Sequence, residues 1–245
     1  MLESCTVVVV MPAWNEEGGI ATFIEEIKNS FPSDADVKFV VVDDASTDQT
    51  ASRAARDTEI NVTVASNASN LGHGPSTLEA LRLGLGTEAD YIVSTDGDGQ
   101  FFGPELAGLV ETAAESGADV VEGIRIRPRE PFYRKLTSLI TRALVAIRAR
   151  SWPTDANTPT RAYRRDPLEQ ILAEVPPETA IPNLYISVIS RRLGLNIGEV
   201  PVVVRDRLGG GPAGTSWGGS GRGVPSRRFV SFCGKAIRDW MRPRK

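Results

Sequence analysis

Cysteine is nearly missing from this chain of 245 residues, with Cys5 and Cys233 the only two. They are too few for a disulfide framework and lie far apart in sequence, which excludes the small cross-linked secreted scaffolds and makes a reducing cytosol the expected compartment. Long apolar runs are missing as well. No stretch approaches the roughly 18 residues needed to cross a bilayer, so an integral membrane protein is not expected. The run Val7 to Met11 is short, has no basic flank before it and leads into a loop, which fits a buried strand better than a signal segment. The segment Met11 to Gly19 after it carries no G-x-G-x-x-G, which disfavours hydride transfer on a dinucleotide. There is no internal repeat, and no disorder-prone composition before the C-terminal quarter. What remains is a 41% hydrophobic chain, long enough for one sizeable α/β core.

Positive charge is scarce in the first half. Residues 1 to 124 carry 5 Lys/Arg against 22 Asp/Glu, a net −17, whereas residues 125 to 245 carry 23 against 9, a net +14. Such a split suggests two kinds of partner: a metal-dressed polyanion near the junction, and an anionic surface or acceptor met by the second half. The alternative is that the two halves simply attract each other.

Within the acidic half, Tyr91-Ile92-Val93-Ser94-Thr95-Asp96-Gly97-Asp98-Gly99-Gln100 places two carboxylates one residue apart at the exit of an apolar run. Strand side chains alternate between faces, but a Gly between and a Gly after lets the backbone turn so that Asp96 and Asp98 converge on one ion. Oxygen ligands on such a turn suit Mg²⁺ or Mn²⁺, with substrate phosphate oxygens completing the shell. An EF-hand loop is excluded, since Phe101 stands where that loop needs Gly and Ala107 where it needs the bidentate Glu.

Runs of Val and Ile alternate with helical patterns, which predicts an α/β fold with a mostly parallel sheet covered on both faces. Strands are expected at Thr6 to Met11, Val37 to Val42, Asn61 to Ala65, Tyr91 to Ser94, Asp119 to Gly123 and Ile197 to Val204. Helices are expected at Glu17 to Ser30, from the Ser46-Thr47-Asp48 cap to Arg56, Gly74 to Leu83, Pro104 to Ser116, Pro131 to Arg150, Pro167 to Ala173 and Pro182 to Leu193. Residues 151 to 165 read as a loop. Leu208 to Gly223 is Gly-rich and expected to be mobile, and the tail from Ser226 recovers helical periodicity, with seven basic residues against Asp239 alone from 227 to 245. Trp14-Asn15-Glu16, Asp43-Asp44 and Asp96-Gly97-Asp98 all fall at the carboxyl ends of parallel strands, where such sheets bind ligands.

Taken together, Pro12-Ala13-Trp14-Asn15-Glu16-Glu17, Val42-Asp43-Asp44-Ala45-Ser46-Thr47-Asp48, Asn70-Leu71-Gly72-His73-Gly74 and Asp96-Gly97-Asp98-Gly99-Gln100 resemble the ordered motifs of family 2 glycosyltransferases with a GT-A (Rossmann-like) fold. Gly123-Ile124-Arg125, Arg134 with Ser138, Asp155 and Glu199-Val200-Pro201-Val202 resemble the polyprenyl-phosphate (dolichyl-phosphate) sugar synthase branch. The likeness covers about residues 5 to 216. It implies a GT-A domain over 1 to 207, with a nucleotide-sugar half (1 to 124) and an acceptor half (125 to 207), then a Gly-rich loop (208 to 225) and a basic amphipathic tail (226 to 245).

The resemblance implies that Pro12, Ala13, Trp14, Glu16, Asp43, Asp44, Asp96, Gly97 and Asp98 line the donor nucleotide sugar, a GDP-mannose or UDP-sugar. Carboxylates suit that task because they accept from base N–H groups and sugar hydroxyls. Asp96, Asp98 and Gln100 are the expected metal ligands, and Asp98, Arg125 and Arg134 the expected catalytic residues. As the sugar–phosphate bond breaks, metal and Arg125 would stabilise the charge growing on the nucleoside diphosphate. His73 stands where the family often has Lys and is expected to be an inert loop residue.

A sugar hydroxyl needs a positioned general base, which family members glycosylating hydroxyls tend to carry just before the helix that here begins Ile181-Pro182-Asn183. This chain has Asn183. A phosphate monoester is already ionised and needs only cations, which Arg125, Arg134, Arg205 and Arg207, with Ser138, are expected to supply. The expectation is therefore an inverting, metal-dependent hexosyltransferase acting on a polyprenyl phosphate, peripheral at the cytoplasmic face of an anionic membrane, with no nucleic-acid partner. Two alternatives stay open: a soluble family 2 enzyme using Glu178 as base on a hydroxyl or amine, and a non-catalytic nucleotide-sugar-binding module. Departures at Trp14, Thr158-Pro159-Thr160 and Trp217 touch the acceptor more than the donor.

Overall fold

The computed structural model describes residues 5–126, 132–210, 234 and 238–240, with the backbone alone at 132–134. The expectations for 211–233 and for most of the basic tail fall outside the described residues. Seven strands form one sheet: β1 (Thr6–Ala13), β2 (Asp36–Asp43), β3 (Val62–Ser66), β4 (Tyr91–Ser94), β5 (Val120–Ile126), β6 (Arg161–Arg164) and β7 (Ile197–Val203), in the order β3-β2-β1-β4-β6-β5-β7. The helices are α1 (Ile20–Ser30), α2 (Thr50–Ala54), α3 (His73–Leu85), α4 (Gly103–Ser116), α5 (Phe132–Ala149), α6 (Arg165–Glu174) and α7 (Pro182–Arg192).

The alternation in Thr6-Val7-Val8-Val9-Val10-Met11 explains why β1 is central. Val7, Val9, Met11 and Ala13 enter one apolar layer with Ile20, Phe23, Ile24 and Ile27 of α1 and Leu106, Leu109 and Val110 of α4. Val8 and Val10 enter the other with Leu78 and Leu81 of α3, Leu168 and Ile171 of α6 and Ile186, Val188 and Ile189 of α7. A strand buried on both faces needs apolar residues on both, and the sequence supplies them. β1 pairs in parallel with both β2 and β4. The chain leaves β1 toward β2 on one side and later returns to β4 on the other, so a crevice opens between the carboxyl ends of β1 and β4.

The expected loop 151 to 165 is corrected at its end. Arg161–Arg164 forms β6, antiparallel to both β4 and β5, the one antiparallel strand among the described residues of a sheet that is otherwise parallel, as expected. Its flanking arginines conceal it from any periodicity argument, because Arg161 is fully buried yet paired. Its guanidinium bonds Glu122 Oε1 (3.2 Å) and the side chain (3.2 Å) and carbonyl (3.3 Å) of Asn183. Arg191 completes the cluster, reaching Glu122 Oε2 at 2.7 Å. A buried charge is tolerated only when paired and hydrogen-bonded, and this one is. The 124/125 boundary falls inside β5, so the acidic and basic segments share one sheet. Among the described residues no helix is long and apolar enough to cross a membrane.

Candidate functional site

Two loops build one wall of the crevice, and they are stitched to each other. After β1, Asn15 N–H donates to Ser46 Oγ (2.9 Å) and Glu16 N–H to Thr50 Oγ1 (2.8 Å). In return, Thr47 N–H donates to Asn15 Oδ1 (2.9 Å) and Gln49 N–H to Glu17 Oε2 (3.0 Å). Asn15 and Ala45 both take positive φ, 54° and 57°, a costly backbone that the reciprocal bonds hold in place. Trp14 stands at the mouth with 36% of its surface exposed.

The turn after β4 packs against this wall. Gly97 N–H donates to Pro12 O (3.1 Å), and a Cβ at Gly97 would lie 3.0 Å from that oxygen and 3.1 Å from Ala13 Cβ. Only a bare backbone lets the Asp96 to Asp98 turn approach β1 so closely. Asp98 is buried and accepts from Gln100 N–H at 3.1 Å. Asp96 is more open, with His73 Nε2 3.7 Å from its Oδ1. His73, expected to be inert, thus stands at the first turn of α3 facing the carboxylate pair.

Arg207 joins the cluster from far along the chain. Its guanidinium lies 2.8 Å from Glu16 Oε1 and 3.1 Å from Asp98 Oδ2, so it bridges two donor-side carboxylates. The segment carrying it crosses the crevice. Leu208 N–H donates to Asp98 O (3.3 Å), and Gly209 lies against Gly18 and Gly19 so tightly that a Cβ on Gly19 would fall 2.8 Å from Gly209 N. Leu208 and Gly209 are therefore packed, although the expected mobile segment begins there.

Burial, with Asp98, Asp96 and Asp48 adding to it, pushes Glu16 up to about 7 even though Arg207 pulls the other way. Burial, then Asp96, likewise lifts Asp98 to about 6 against Arg207, the Gln100 N–H and His73. Two carboxylates raised this far mark a pocket short of positive charge. Among the described residues no group of three or more His, Cys, Asp and Glu forms a self-sufficient metal cage. The oxygen-only set of Asp96 and Asp98, with Glu16 beside them, fits a hard divalent ion that takes its remaining ligands from water and phosphate.

Asp43 and Asp44 divide. Asp43 Oδ1 is buried without a hydrogen-bond partner. Asp44 is committed inward: its Oδ1 accepts from Asn67 Nδ2 (2.9 Å) and Leu71 N–H (2.8 Å), its Oδ2 from Gly72 N–H (2.9 Å). Asp44, expected at the nucleotide, shapes the Asn70 to Gly74 loop through these bonds. That loop seats α3 tightly on the chain before α7, since a Cβ on Gly74 would sit 2.2 Å from Thr179 O.

On the acceptor side, Arg125 at the end of β5 forms a two-pronged pair with Asp155, Nε to Oδ2 at 2.7 Å and Nη2 to Oδ1 at 2.9 Å. Burial alone would raise Asp155, but Arg125 and the Asn157 N–H outweigh it and hold the carboxyl below its usual range. Arg205 does not face this side. Its Nε donates to Gly99 O (2.7 Å), its Nη2 to Glu26 Oε2 (2.6 Å), and it stacks 4.4 Å above Phe102, so it fastens the crossing segment to α1 and α4. Arg205, expected at the acceptor phosphate, is thus engaged by Gly99, Glu26 and Phe102 in this structure, and Arg207 lies among the donor-side carboxylates. Gln100 donates its amide nitrogen to Arg205 O (3.3 Å), which ties it to the same segment. Ser138 is half-buried in the second turn of α5, and the Arg134 side chain lies outside the described residues. Sequence reasoning missed the contacts of His73 and Arg207 with the carboxylates; clustering of cations after β7 was the signal available for the latter.

The mixed sheet, the crevice at its strand ends and the flanking helix layers define the GT-A class of glycosyltransferase folds. The chain belongs to Glycosyl transferase family 2, whose family model matches residues 8–172, and it is a glycosyltransferase. Among curated relatives it is similar to a UDP-N-acetylglucosamine–dolichyl-phosphate N-acetylglucosaminyltransferase of Methanococcus voltae, 24% identical over 214 residues that cover 79% of this chain and 83% of that one. It is also similar to the low-salt glycan biosynthesis hexosyltransferase Agl6 of Haloferax volcanii, 29% identical over 170 residues, 67% of this chain but only 40% of the relative's length. Among solved structures, glucosyl-3-phosphoglycerate synthase from Mycobacterium tuberculosis in complex with Mn²⁺ and UDP-glucose superposes with a TM-score of 0.62 at 24% identity, over 84% of this chain and 73% of that one. The same enzyme in complex with UDP gives 0.65 at 21% identity, over 98% and 82%. At these identities the superpositions speak to fold.

Proposed function

We propose that this glycosyltransferase moves a hexosyl group from a nucleotide sugar, GDP-mannose or a UDP-sugar, to a polyprenyl phosphate at a membrane surface, with inversion at the anomeric carbon. The observation that carries this is the placement of Asn183. Where a hydroxyl-directed enzyme needs a carboxylate base, this chain has an amide turned into the core against Arg161. A phosphate oxygen is a competent nucleophile without a base, and Arg125, held in orientation by Asp155, offers it a cationic seat. The dolichyl-phosphate-directed relative supports the same acceptor chemistry.

On the donor side, the unpartnered Asp43 Oδ1 offers an acceptor to a base N–H or ribose hydroxyl. Asp96 and Asp98 would hold Mg²⁺ or Mn²⁺, which when bound supplies the positive charge a departing nucleoside diphosphate requires. The Mn²⁺ and UDP-glucose in a structural neighbour support that choice. Arg207, within reach of both Glu16 and Asp98, is placed to turn its charge from those carboxylates to a phosphate oxygen. The acceptor phosphate attacks from the face opposite the diphosphate, which inverts configuration.

The test is a panel of GDP-mannose and UDP-sugars with Mn²⁺ or Mg²⁺, offered a short polyprenyl phosphate or a hydroxyl acceptor, and scored for product. A glycosyl phosphoprenyl product from one donor is expected. Turnover of the hydroxyl acceptor alone would overturn the acceptor assignment.

A further inference from the structure

The buried charges behind the acceptor side of the sheet do not cancel. Glu122 of β5 is fully buried, and arginines take both of its oxygens: Arg161 Nε (3.2 Å) and Arg191 Nη1 (3.2 Å) reach Oε1, and Arg191 Nη2 (2.7 Å) reaches Oε2. The Arg161 side chain is likewise buried, and that of Arg191 is 6% exposed. Two cations on one carboxylate leave a net +1, and among the described residues no second carboxylate forms an ion pair with either guanidinium. Asn183 stands where such a carboxylate would go. Its Oδ1 accepts from Arg161 Nη1 (3.2 Å) and its carbonyl from Arg161 Nη2 (3.3 Å), so a neutral amide fills a place that an Asp of the same shape would fill with charge. Unbalanced charge in a core loses hydration without a full Coulombic return, and it acts as a standing field on any anion within reach.

We propose that the Glu122–Arg161–Arg191 cluster is an electrostatic selector for an anionic acceptor, and that Asn183 is the specificity-determining residue that keeps the cluster at +1. This rests on the reading above that the acceptor is a phosphate monoester. The field reaches the acceptor seat: Glu122 and Arg125 both lie on β5, about 10 Å apart at roughly 3.3 Å per residue, and β6 sets Arg161 opposite Glu122. Asp155 marks the connection. Burial pushes its carboxyl up, but Arg125, the Asn157 N–H and, from behind, Arg161 hold it down. Asp155 is already met by the two-pronged Arg125, so it leaves the surplus of the cluster in place. Being buried, the cluster makes no contact with the acceptor and acts as fixed charge that needs no rearrangement when a phosphate arrives. A neutral hydroxyl gains nothing from it. The amide at 183 thus favours the same acceptor twice, by withholding a base and by preserving the positive field.

The experiment measures acceptor KM, donor KM and melting temperature in three variants of the full chain, with a short water-soluble prenyl phosphate as acceptor. Asn183→Asp adds a carboxylate beside Arg161, and Arg191→Gln removes one cation, so each brings the cluster from +1 to 0. One unit charge acting across about 10 Å at the effective dielectric of a protein corresponds to about a tenfold change in affinity. Both variants should raise the acceptor KM about tenfold, and by more than the donor KM, since the donor diphosphate arrives with its charge met by metal. Their stabilities should move oppositely: Asn183→Asp keeps or raises the melting temperature, whereas Arg191→Gln lowers it. Asn183→Ala retains the +1 and should lower the melting temperature with the acceptor KM unchanged. An acceptor KM that stays constant in the two neutralised variants, or that follows melting temperature across all three, overturns the proposal. So does an Asn183→Asp enzyme that gains transfer to a hydroxyl acceptor at undiminished phosphate affinity, which would make position 183 the site of a base. Wild-type transfer to prenyl phosphate with a charge-independent KM removes the selector and leaves the proposed function standing. A wild-type protein that glycosylates a hydroxyl acceptor alone removes the proposed function, and the selector with it.

Discussion

Replacing Glu16 with Gln keeps the shape of the side chain and an acceptor for Arg207 but removes the charge, which tests whether the donor pocket is held under electrostatic strain. Burial raises Glu16 from 4.5 to about 7, with Arg207 opposing and Asp98, Asp96 and Asp48 reinforcing. A carboxylate whose folded value exceeds its unfolded one takes up protons on folding. Its contribution to stability is complete below 4.5 and is lost as pH rises through 7. The interval from 4.5 to about 7 corresponds to at most about 3 kcal/mol of unfolding free energy, less what solvent screens at the open side of the crevice. Asp98, lifted from 3.8 to about 6, adds a loss over a lower window, and the two overlap because the charge on Asp98 is one of the causes that raise Glu16. Urea unfolding followed by tryptophan fluorescence, with a chelator to exclude divalent ions, is the assay. Between about pH 5 and pH 8 the wild-type protein should lose stability, and Glu16→Gln should lose less, by up to about 3 kcal/mol. Parallel pH profiles for the two proteins would refute the reasoning, since they would mean that the fold does not oppose the charge on Glu16.

Asp98→Ala should lower transfer on the order of 100-fold or more while the protein still unfolds cooperatively; retained turnover would remove Asp98 from the chemistry. Asp44→Ala deletes the acceptor of three hydrogen bonds, from Asn67, Leu71 and Gly72, and should cost about 2–4 kcal/mol of stability with faster amide exchange at Leu71 and Gly72. Arg205→Ala should cost about 2 kcal/mol through the lost contacts to Glu26, Gly99 and Phe102, with the acceptor KM unchanged. A raised acceptor KM with full stability would return Arg205 to the acceptor site.

The sequence by itself determined the layered sheet and the order of its motifs. Val7 to Met11, Tyr91 to Ser94 and the stripe Ile20, Phe23, Ile24 and Ile27 are legible because apolar burial has no preferred partner, so periodicity alone records which face goes inward. It also placed Glu16, Asp43 and the Asp96 to Asp98 turn at neighbouring strand ends, since parallel strands share a polarity. Only the tertiary structure decided what the charged groups do. Arg161 became a strand residue because Glu122 and Asn183, 39 and 22 residues away in sequence, meet it in the core. Arg205 and Arg207, two residues apart, went to opposite tasks, one fastening a segment to Glu26 and the other bridging Glu16 and Asp98. Asp43 and Asp44, adjacent in the chain, likewise parted into an open acceptor and a loop brace. The direction in which α5 turns its apolar side chains was decided there too, because amphipathicity fixes that a helix has two faces, whereas the surrounding elements fix which face is covered. Ionic and hydrogen-bonding groups act through specific partners at short range, so their roles are settled by which residues the fold brings together.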